Sequence, residues 1–399
     1  MNKYRSSLNF PLLFFVTTVI IVSCGSPKQK AEKMINSFME KSGTVGLAVA
    51  VVKDNIIIYT GAFGKSNIEK QIDLNQDDIF RIASISKSFT TTALLTLVEK
   101  GAVSLESDVS DLIRFRVRNP KYPEVPITVK MLLSHSSSVN DSQEYFSLDI
   151  LNPDVNPDYA KCYNDYIPGT KYQYCNLGFN TLGAIVEKVS GIRFDNFVSQ
   201  NILQPLKLKA SFNVDDFQGI AFATLYSSDT TGYSSTGKII FNPSENAYLS
   251  RAAIIDSGKY IIGYSAPLFS PTGGMKISAP DLARYMIMHM NYGVDPQTGV
   301  RIISEESSKL MQTQVIETDD KAYYCLGLNR STTLLPGETM TGHTGDAYGL
   351  LSAMYFEPEK KFGIVMISNG TSRKYADYID GFAPVQRDVV RLLYEVFLK

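Results

Sequence analysis

The sequence predicts an α+β fold in which one sheet is built from both ends of the chain and helices fill the middle. Residues 46–59 contain two β-rich runs around a Lys-Asp-Asn turn, which is the pattern of a hairpin. Three further β-like runs lie near the C-terminus, at 323–328, 350–356 and 363–367. Because strands lie at both ends, we expect a sheet subdomain made of 37–75 and 270–399. Residues 76–269 would form a helical and loop subdomain inserted between them.

The helices are predicted from apolar periodicity and from residues typical of helix ends. The expected helices span 84–101, 129–133, 177–191, 280–290 and about 383–398. Gly101 and Gly191 are natural residues for a helix C-terminus, and Pro280 suits a first helical turn. The long stretches 140–170 and 213–270 are rich in Tyr, Ser, Gly and Pro and are expected to be loops with short helices.

The first 23 residues have the pattern of a secretory signal peptide. Lys3 and Arg5 precede an apolar run over 8–22, which is too short for a typical membrane-spanning helix. The following Ile-Val-Ser-Cys resembles a bacterial lipobox, in which Cys24 would be lipidated and become the mature N-terminus. Residues 24–36 are polar and are expected to be a tether. We therefore expect an exported, membrane-anchored bacterial lipoprotein facing the periplasm or the cell surface, with an ordinary signal peptide as the alternative.

The composition is that of a folded globular protein and bounds the possible functions. Hydrophobic residues make up 44% of the 399 residues and charged residues 20%, and the formal net charge is −1. A chain without a basic excess does not attract nucleic acid, so none is expected as a partner. The cysteine spacings fit no zinc site and the histidines are scattered, so no metal site is expected. A disulfide between Cys162 and Cys175 is possible in an oxidising compartment.

A Ser-x-x-Lys pattern at the start of a predicted helix supplies a candidate nucleophile and base. Ser84 and Lys87 lie three residues apart, which places both side chains on one face of a helix. A serine hydroxyl attacks a carbonyl when a base takes its proton, and a lysine can do so if burial lowers its pKa. The pattern is weak alone, because a capped helix followed by a surface lysine would look the same.

Two further patterns contain the residue types that such a site needs. Tyr174 could act as a general acid or base beside a buried lysine, and Asn176 could hold the lysine amine and a substrate amide. His343, Thr344 and Gly345 precede a predicted strand, whose exposed backbone N–H could stabilise an oxyanion. Both patterns also have structural interpretations: a loop tyrosine with a helix-capping asparagine, and a glycine-rich turn with a satisfied histidine.

Together, and in this order, the three patterns resemble the serine β-lactamase and penicillin-binding-protein family. The similar branch contains class C β-lactamases, D-aminopeptidases, D-Ala-D-Ala carboxypeptidases and esterases. The motifs Ser-x-x-Lys, Tyr-x-Asn and Lys/His-Thr-Gly match at 84–87, 174–176 and 343–345. Weaker signatures match at 132–135, 168–170, 205–206, 273–275 and 281–283. The resemblance covers about residues 40–399 and implies a β-lactamase/transpeptidase-like fold, with an antiparallel sheet flanked by helices and a mostly helical subdomain.

The resemblance implies a serine hydrolase that cleaves an ester or amide of a small molecule or peptide through an acyl-enzyme on Ser84. Lys87 and Tyr174 would share the proton transfers, and Asn176 would orient Lys87 and the substrate. The backbone N–H groups of Ser84 and Asp346 would form the oxyanion hole. The resemblance also implies a reaction without a metal or an organic cofactor. The alternatives are an acyltransferase that passes the acyl group to an alcohol or amine, a β-lactamase, and a non-catalytic penicillin-binding module.

Departures from the family pattern bear on the substrate. His343 stands where class C β-lactamases carry lysine, and a neutral histidine binds a substrate carboxylate poorly, which argues against an efficient β-lactamase. Asp346 would repel anionic substrates if its side chain faces the site. Cys175 is expected to pack away from Tyr174, and His135 is expected to fill the core. Loop aromatics could line the cleft or merely pack the loops; they are Tyr145, Phe146, Tyr159, Tyr163, Tyr166, Tyr226, Tyr233 and Tyr248.

Overall fold

The computed structural model describes residues 26–228, 239–318 and 322–399. The predicted signal peptide, Cys24 and Tyr233 lie outside the described residues. The helices are α1 (Pro27–Ser42), α2 (Ser86–Glu99), α3 (Val109–Leu112), α4 (Val129–Leu133), α5 (Asn176–Ser190), α6 (Phe194–Val198), α7 (Ala252–Asp256), α8 (Ala279–Met290), α9 (Glu305–Met311) and α10 (Pro384–Phe397). The strands are β1 (Gly46–Lys53), β2 (Ile56–Asn67), β3 (Ile72–Asp73), β4 (Phe80–Arg81), β5 (Ala210–Ser211), β6 (Tyr226–Ser228), β7 (Phe241–Pro243), β8 (Lys276–Ile277), β9 (Ile316–Glu317), β10 (Tyr323–Tyr324), β11 (Asn329–Ser331), β12 (Met340–Ala347), β13 (Leu350–Glu357) and β14 (Phe362–Ser368).

The main sheet joins both ends of the chain, as predicted. Within the described ranges its strand order is β3-β2-β1-β14-β13-β12-β11-β10-β9, and neighbouring strands are antiparallel. The N-terminal strand β1 pairs directly with the C-terminal strand β14, from Leu47 opposite Ser368 to Lys53 opposite Phe362. This arrangement confirms the fold class: an antiparallel sheet flanked by helices, with a mostly helical region inserted between its strands.

Both faces of the central strands are buried, which explains their nearly continuous apolar sequences. Side chains alternate between the faces along a strand. In β1, Leu47, Val49 and Val51 face the core formed with α1 and α10. The intervening alanines and Val52 face the larger core, which contains α2, α5 and α8. The sheet therefore separates the two terminal helices from the helical region.

The predicted tether over 24–36 is wrong from Pro27 onward, because helix α1 begins there. The Ser26 hydroxyl accepts a hydrogen bond from the Gln29 N–H, and the Gln29 side-chain oxygen accepts one from the Ser26 N–H, which is a capping box. Ala31 and Ile35 are fully buried in the core shared with α10. The lysines of α1 made the segment appear solvated, but they occupy one face of an amphipathic helix.

The structure also changes two predictions near the C-terminus. The run 323–328 is divided, because the chain turns at Gly327 with φ +68° before β11 begins. The residues before the predicted strand at 350–356 form a strand of their own, β12, so the His-Thr-Gly motif lies within the sheet rather than in a preceding turn. No helix among the described residues is long and apolar enough to cross a membrane.

Candidate active site

Ser84 lies in a short 3-10 turn, Ala83–Ile85, which leads into α2. The turn is fixed through Ile82, whose carbonyl accepts a hydrogen bond from Ser352 Oγ at 3.0 Å and whose N–H donates to Met275 O at 3.0 Å. Ala83 has φ +48°, a left-handed conformation that is unfavourable for a residue with a side chain. Ser84 is partly exposed, whereas its neighbours in the turn are buried. The fold therefore presents this hydroxyl at a strained, anchored bend.

Lys87 is fully buried one helical turn beyond Ser84, and its amine has three acceptors around it. Lys87 Nζ lies 3.1 Å from Ser84 Oγ, 2.9 Å from Asn176 Oδ1 and 3.0 Å from the Thr272 carbonyl. Burial lowers the pKa of Lys87 to about 7, against a partial opposing effect of the nearby carboxylate of Asp141. In the neutral amine, two N–H groups can donate to Asn176 and Thr272 while the lone pair accepts the Ser84 proton.

Tyr174 is brought to the same hydroxyl. Its phenol hydrogen-bonds with Ser84, and Lys87 Nζ lies 4.6 Å from the centre of its ring. Burial raises the pKa of Tyr174 well above its usual value, and the hydrogen bond with Ser84 offsets only part of that rise. Of the two roles considered for Tyr174, general base and general acid, a phenolate base is therefore not favoured, because the same burial that lowers the pKa of Lys87 keeps Tyr174 protonated.

Asn176 is held by a residue that the sequence analysis did not single out, Asp141. One carboxylate oxygen of Asp141 accepts hydrogen bonds from the Asn176 N–H at 2.8 Å and from Asn176 Nδ2 at 2.9 Å. The other oxygen accepts from the Leu177 N–H at 2.9 Å and the Cys175 thiol at 3.3 Å. Asp141 thus caps the N-terminus of α5 and turns the Asn176 amide so that its oxygen faces Lys87. The Cys175 side chain packs on this side, and its Sγ also accepts from the Gly178 N–H.

His135 accepts hydrogen bonds from the backbone on both sides of Tyr174. Its carbonyl accepts from the Gln173 N–H at 2.8 Å, and its Nδ1 accepts from the Cys175 N–H at 3.1 Å. Its ring centre lies 4.3 Å from that of Tyr174. Burial and the proximity of Lys87 keep the pKa of His135 well below its usual value, so it remains a neutral acceptor. The residue is buried as expected, and its contacts position the tyrosine.

Strand β12 brings the His-Thr-Gly motif against the turn that carries Ser84. A β-carbon at Gly345 would lie 2.3 Å from the Ile82 carbonyl oxygen, so only glycine permits this approach. β11 pairs with β12 only as far as Gly342, which leaves the β12 edge from His343 onward unpaired and facing a cleft. Gln386 of α10 locks the strand in place by donating to the carbonyls of Gly345 and its partner on β13.

His343 is buried and both of its ring nitrogens are occupied. Nδ1 lies 2.5 Å from the Thr344 carbonyl, which can only accept, so Nδ1 carries the proton. Nε2 lies 3.0 Å from the Tyr324 hydroxyl, which then donates to it. Burial is the main effect that lowers the pKa of His343 to about 3, and Lys87 adds to it. The imidazole is neutral, as the sequence analysis assumed for neutral pH.

A cavity of about 690 Å³ joins these elements. Ser84, Tyr174, Asn176, His343, Thr344 and Asp346 line it, whereas Lys87 lies beneath its floor and Gly345 forms the close contact behind it. Of the predicted aromatic residues, Tyr145 and Phe146 line the cavity; the other described ones pack elsewhere. The cavity has further aromatic residues that the sequence analysis missed: Tyr172, Tyr324, Tyr348 and Tyr378.

The described cysteines and possible metal ligands do not form a second site. The described cysteines Cys162, Cys175 and Cys325 are buried and free, so the disulfide considered for the first two is not formed. Within residues 26–228, 239–318 and 322–399, no group of three or more His, Cys, Asp or Glu side chains could hold a metal ion.

The Beta-lactamase family model matches residues 31–383 of this sequence. The chain belongs to the β-lactamase family. Membership supports serine hydrolase chemistry at the level of the family. It also agrees with the arrangement of the Ser84, Tyr174 and His343 motifs around one cavity.

Individual relatives are distant. The chain is 26% identical over 334 residues to "Penicillin-binding protein 4" of Amycolatopsis lactamdurans, covering 82% of this chain and 81% of that protein. It is 21% identical over 349 residues to "Protein flp" of Staphylococcus aureus strain N315, covering 86% of this chain and 63% of the relative. The chain thus spans less than two thirds of the length of the flp proteins.

The fold is also that of solved penicillin-binding-protein homologues. The octameric penicillin-binding protein homologue from Pyrococcus abyssi superposes with a TM-score of 0.71 at 24% identity, over 93% of this chain and 77% of the other. At this identity the likeness establishes the fold alone.

Proposed function

We propose that this protein is a serine hydrolase that cleaves an ester or amide through an acyl-enzyme on Ser84. The observation that carries the proposal is the environment of Lys87, a fully buried amine with a pKa of about 7 that lies 3.1 Å from the Ser84 hydroxyl. A base is most effective when its pKa lies near the working pH. A surface lysine after a capped helix would have neither the burial nor the three converging acceptors.

The proton transfers follow from the hydrogen bonds. Neutral Lys87 takes the Ser84 proton as Oγ attacks the substrate carbonyl, and Asn176 and the Thr272 carbonyl hold the resulting ammonium. Tyr174, kept as a neutral phenol, donates its proton to the leaving group. The Lys87 ammonium then returns its proton to the Tyr174 phenolate. Water enters on the side that the leaving group has vacated and attacks the acyl carbonyl while neutral Lys87 takes one of its protons. Lys87 passes that proton to Ser84 Oγ as the ester bond breaks.

The oxyanion would be stabilised by backbone N–H groups of Ser84 and Asp346. Two features support this pairing: Ser84 lies in the turn that leads into the N-terminus of α2, and Asp346 lies on the unpaired edge of β12. The close contact between Gly345 and Ile82 keeps the two backbones near each other. Donors fixed by the fold in this way need no reorganisation during the reaction.

Neutral His343 favours a carboxylesterase or a peptidase of the D-amino-acid type over a β-lactamase. A β-lactam and a D-Ala-D-Ala terminus both carry a carboxylate, which a positive charge at this position would bind. The imidazole cannot supply that charge at neutral pH, because its pKa is about 3 and both nitrogens are engaged. The aromatic walls of the cavity suit an apolar or amphipathic group on the substrate.

The test measures the hydrolysis of short-chain p-nitrophenyl esters by the wild type and by Ser84→Ala, with a β-lactam as a second substrate. We expect ester turnover by the wild type, at least a thousandfold less by Ser84→Ala, and slow or no β-lactam hydrolysis. Adding an alcohol acceptor separates hydrolysis from acyl transfer, because acyl transfer would yield a new ester instead of the free acid. Equal ester turnover by the wild type and Ser84→Ala would refute the proposal.

For the cellular location, we infer export and lipidation at Cys24, supported by the charged start, the apolar run and the lipobox-like sequence over 1–24. Replacing this residue (Cys24→Ser) should move the protein from the membrane fraction to the soluble exported fraction and abolish incorporation of labelled fatty acid. Retention of the label in the variant would contradict the inference.

A further inference from the structure

We propose that the leaving group of the natural substrate carries a positive charge, held at the mouth of the cleft by the carboxylate of Asp346 and the ring of Tyr378. The proposal rests on the hydrolase function above and adds the chemical class of the leaving group. Both side chains line the cavity. Tyr378 is 46% exposed as a residue, so part of it is accessible to a ligand.

The position of the leaving group follows from the acid that protonates it. Tyr174 is the group placed to donate that proton, so the leaving group departs on the Tyr174 side of Ser84. The His343 ring lies on that side, with its centre 6.2 Å from that of Tyr174. Thr344 follows on the same strand, and its side chain hydrogen-bonds with the Tyr378 hydroxyl. A leaving group that extends from Ser84 along β12 therefore reaches Tyr378 and Asp346.

Within the described parts of the chain, no unpaired cation lies on this edge of β12 to receive an anionic leaving group. His343 donates through Nδ1 and accepts through Nε2, which describes a neutral ring. Arg373 is the cation that acts on Asp346, but it forms its own ion pair with Asp377 at 3.4 Å. The next cation on the cavity wall is Arg81.

Arg81 does not neutralise this part of the cleft. Its guanidinium donates to the carbonyls of Gly273 and Ala247 and to Ser270 Oγ, and it lies 5.0 Å from the centre of the Tyr348 ring. The residue is only 8% exposed. Its charge is therefore already solvated by the protein, and it is directed into the wall rather than toward Asp346.

Arg373 acts on Asp346 only at longer range, and in the part of the chain that the structure describes the carboxylate makes no close contact with a cation or a donor. Among the described residues, no ion pair within 4.0 Å and no side-chain hydrogen bond involves its carboxylate. Asp346 is exposed and lines the cleft. Partial burial of its carboxyl group nevertheless raises the pKa of that group. A partly desolvated carboxylate beside an aromatic face is the combination that binds an ammonium ion, by charge attraction and by the cation–π interaction.

The experiment compares three butyryl thioesters whose leaving groups end in a positive, a neutral or a negative group. Each enzymatic rate is divided by the rate of alkaline hydrolysis of the same thioester, because the charge also changes the acidity of the leaving thiol. The thiols are thiocholine, its neutral carbon isostere 3,3-dimethylbutanethiol, and anionic 3-mercaptopropionate. Thiol release gives kcat/KM for the wild type, Asp346→Asn and Asp54→Asn. Asp54 lies in the turn between β1 and β2, at the opposite end of the sheet, and its φ of +51° is one that asparagine tolerates.

We expect the wild type to prefer the cationic over the neutral thioester by about tenfold, and to accept the anionic one least. The preference should weaken at high salt, fall to about twofold or less in Asp346→Asn, and persist in Asp54→Asn. Turnover of the neutral thioester without a cationic preference, or a preference unchanged in Asp346→Asn, would overturn this proposal and leave the hydrolase function standing. Failure of all three thioesters to react would overturn both.

Discussion

Replacing Lys87 by methionine should abolish activity and change how the stability of the protein depends on pH. Lys87 is fully buried, and its pKa is about 7 in the folded protein, compared with 10.5 for an unperturbed lysine. Below pH 7 the folded protein holds a charged amine away from water, which is unfavourable. Methionine fills a similar volume without a charge, so at acidic pH it removes that unfavourable charge at the cost of three hydrogen bonds.

The sign and size of the pH effect follow from the two pKa values. Between pH 7 and pH 10.5 the unfolded chain keeps a proton on Lys87 that the folded protein has released, so wild-type stability rises with pH in this window. The slope is about 1.4 kcal/mol per pH unit. From pH 6 to pH 9, the free energy of unfolding of the wild type should therefore rise by about 3 kcal/mol relative to the methionine variant.

Urea denaturation at pH 6, 7, 8 and 9 measures this difference directly. Ser84→Ala serves as the matched control, because it removes activity but keeps the buried amine and should follow the wild-type pH dependence. The initial rate of ester hydrolysis by the wild type should rise with pH and reach half its maximum near pH 7, where half of Lys87 is neutral. A stability difference between wild type and Lys87→Met that stays constant from pH 6 to pH 9 would refute a lowered pKa at this position.

Three further substitutions test the parts that support the site. Asp141→Ala should destabilise the protein by about 2 kcal/mol in chemical denaturation and reduce kcat roughly tenfold or more, because it uncaps α5 and releases Asn176; wild-type kcat would contradict this role. Gly345→Ala should cost about 1–3 kcal/mol and lower kcat, since its β-carbon would push β12 away from Ile82; a fully active variant would show that the close contact is dispensable. In His135→Leu, kcat should fall by a larger factor than KM changes. His135→Asn keeps a hydrogen-bond acceptor and tolerates the positive φ, so it should recover most of the wild-type rate. Equal rates for the two variants would argue against the positioning of Tyr174 through His135 Nδ1.

The fold class was predictable because hydrophobic patterns at both ends of the chain are strong and local. Helices α4 and α8 lie at or within one residue of the predicted bounds, since capping serines and threonines and a first-turn proline mark their starts. Strand β12 was not predicted, because it contains two glycines and an aspartate, which are residue types depleted in strands. Pairing with β13 and the Gln386 hydrogen bonds enforce the strand, and neither is visible in a local window.

The motifs of the site could be predicted from the sequence, but the residues that hold those motifs in place could not. Ser84, Tyr174 and His343 were found because each belongs to a short pattern with a chemical reason. Asp141 was missed because it lies in an irregular loop 35 residues before Asn176, and its role exists only after that loop folds over the start of α5. The protonation of the tyrosine could not be predicted either, because burial depends on the folded structure.

The most direct test of the central claim locates the acyl group. Wild-type protein mixed with a slowly deacylating aromatic ester and quenched in acid should gain the mass of one acyl group. Peptide mapping should place that group on Ser84, and Ser84→Ala should gain none. Ester turnover without an adduct, or an acyl group on another residue, would contradict the account of Ser84 as the nucleophile.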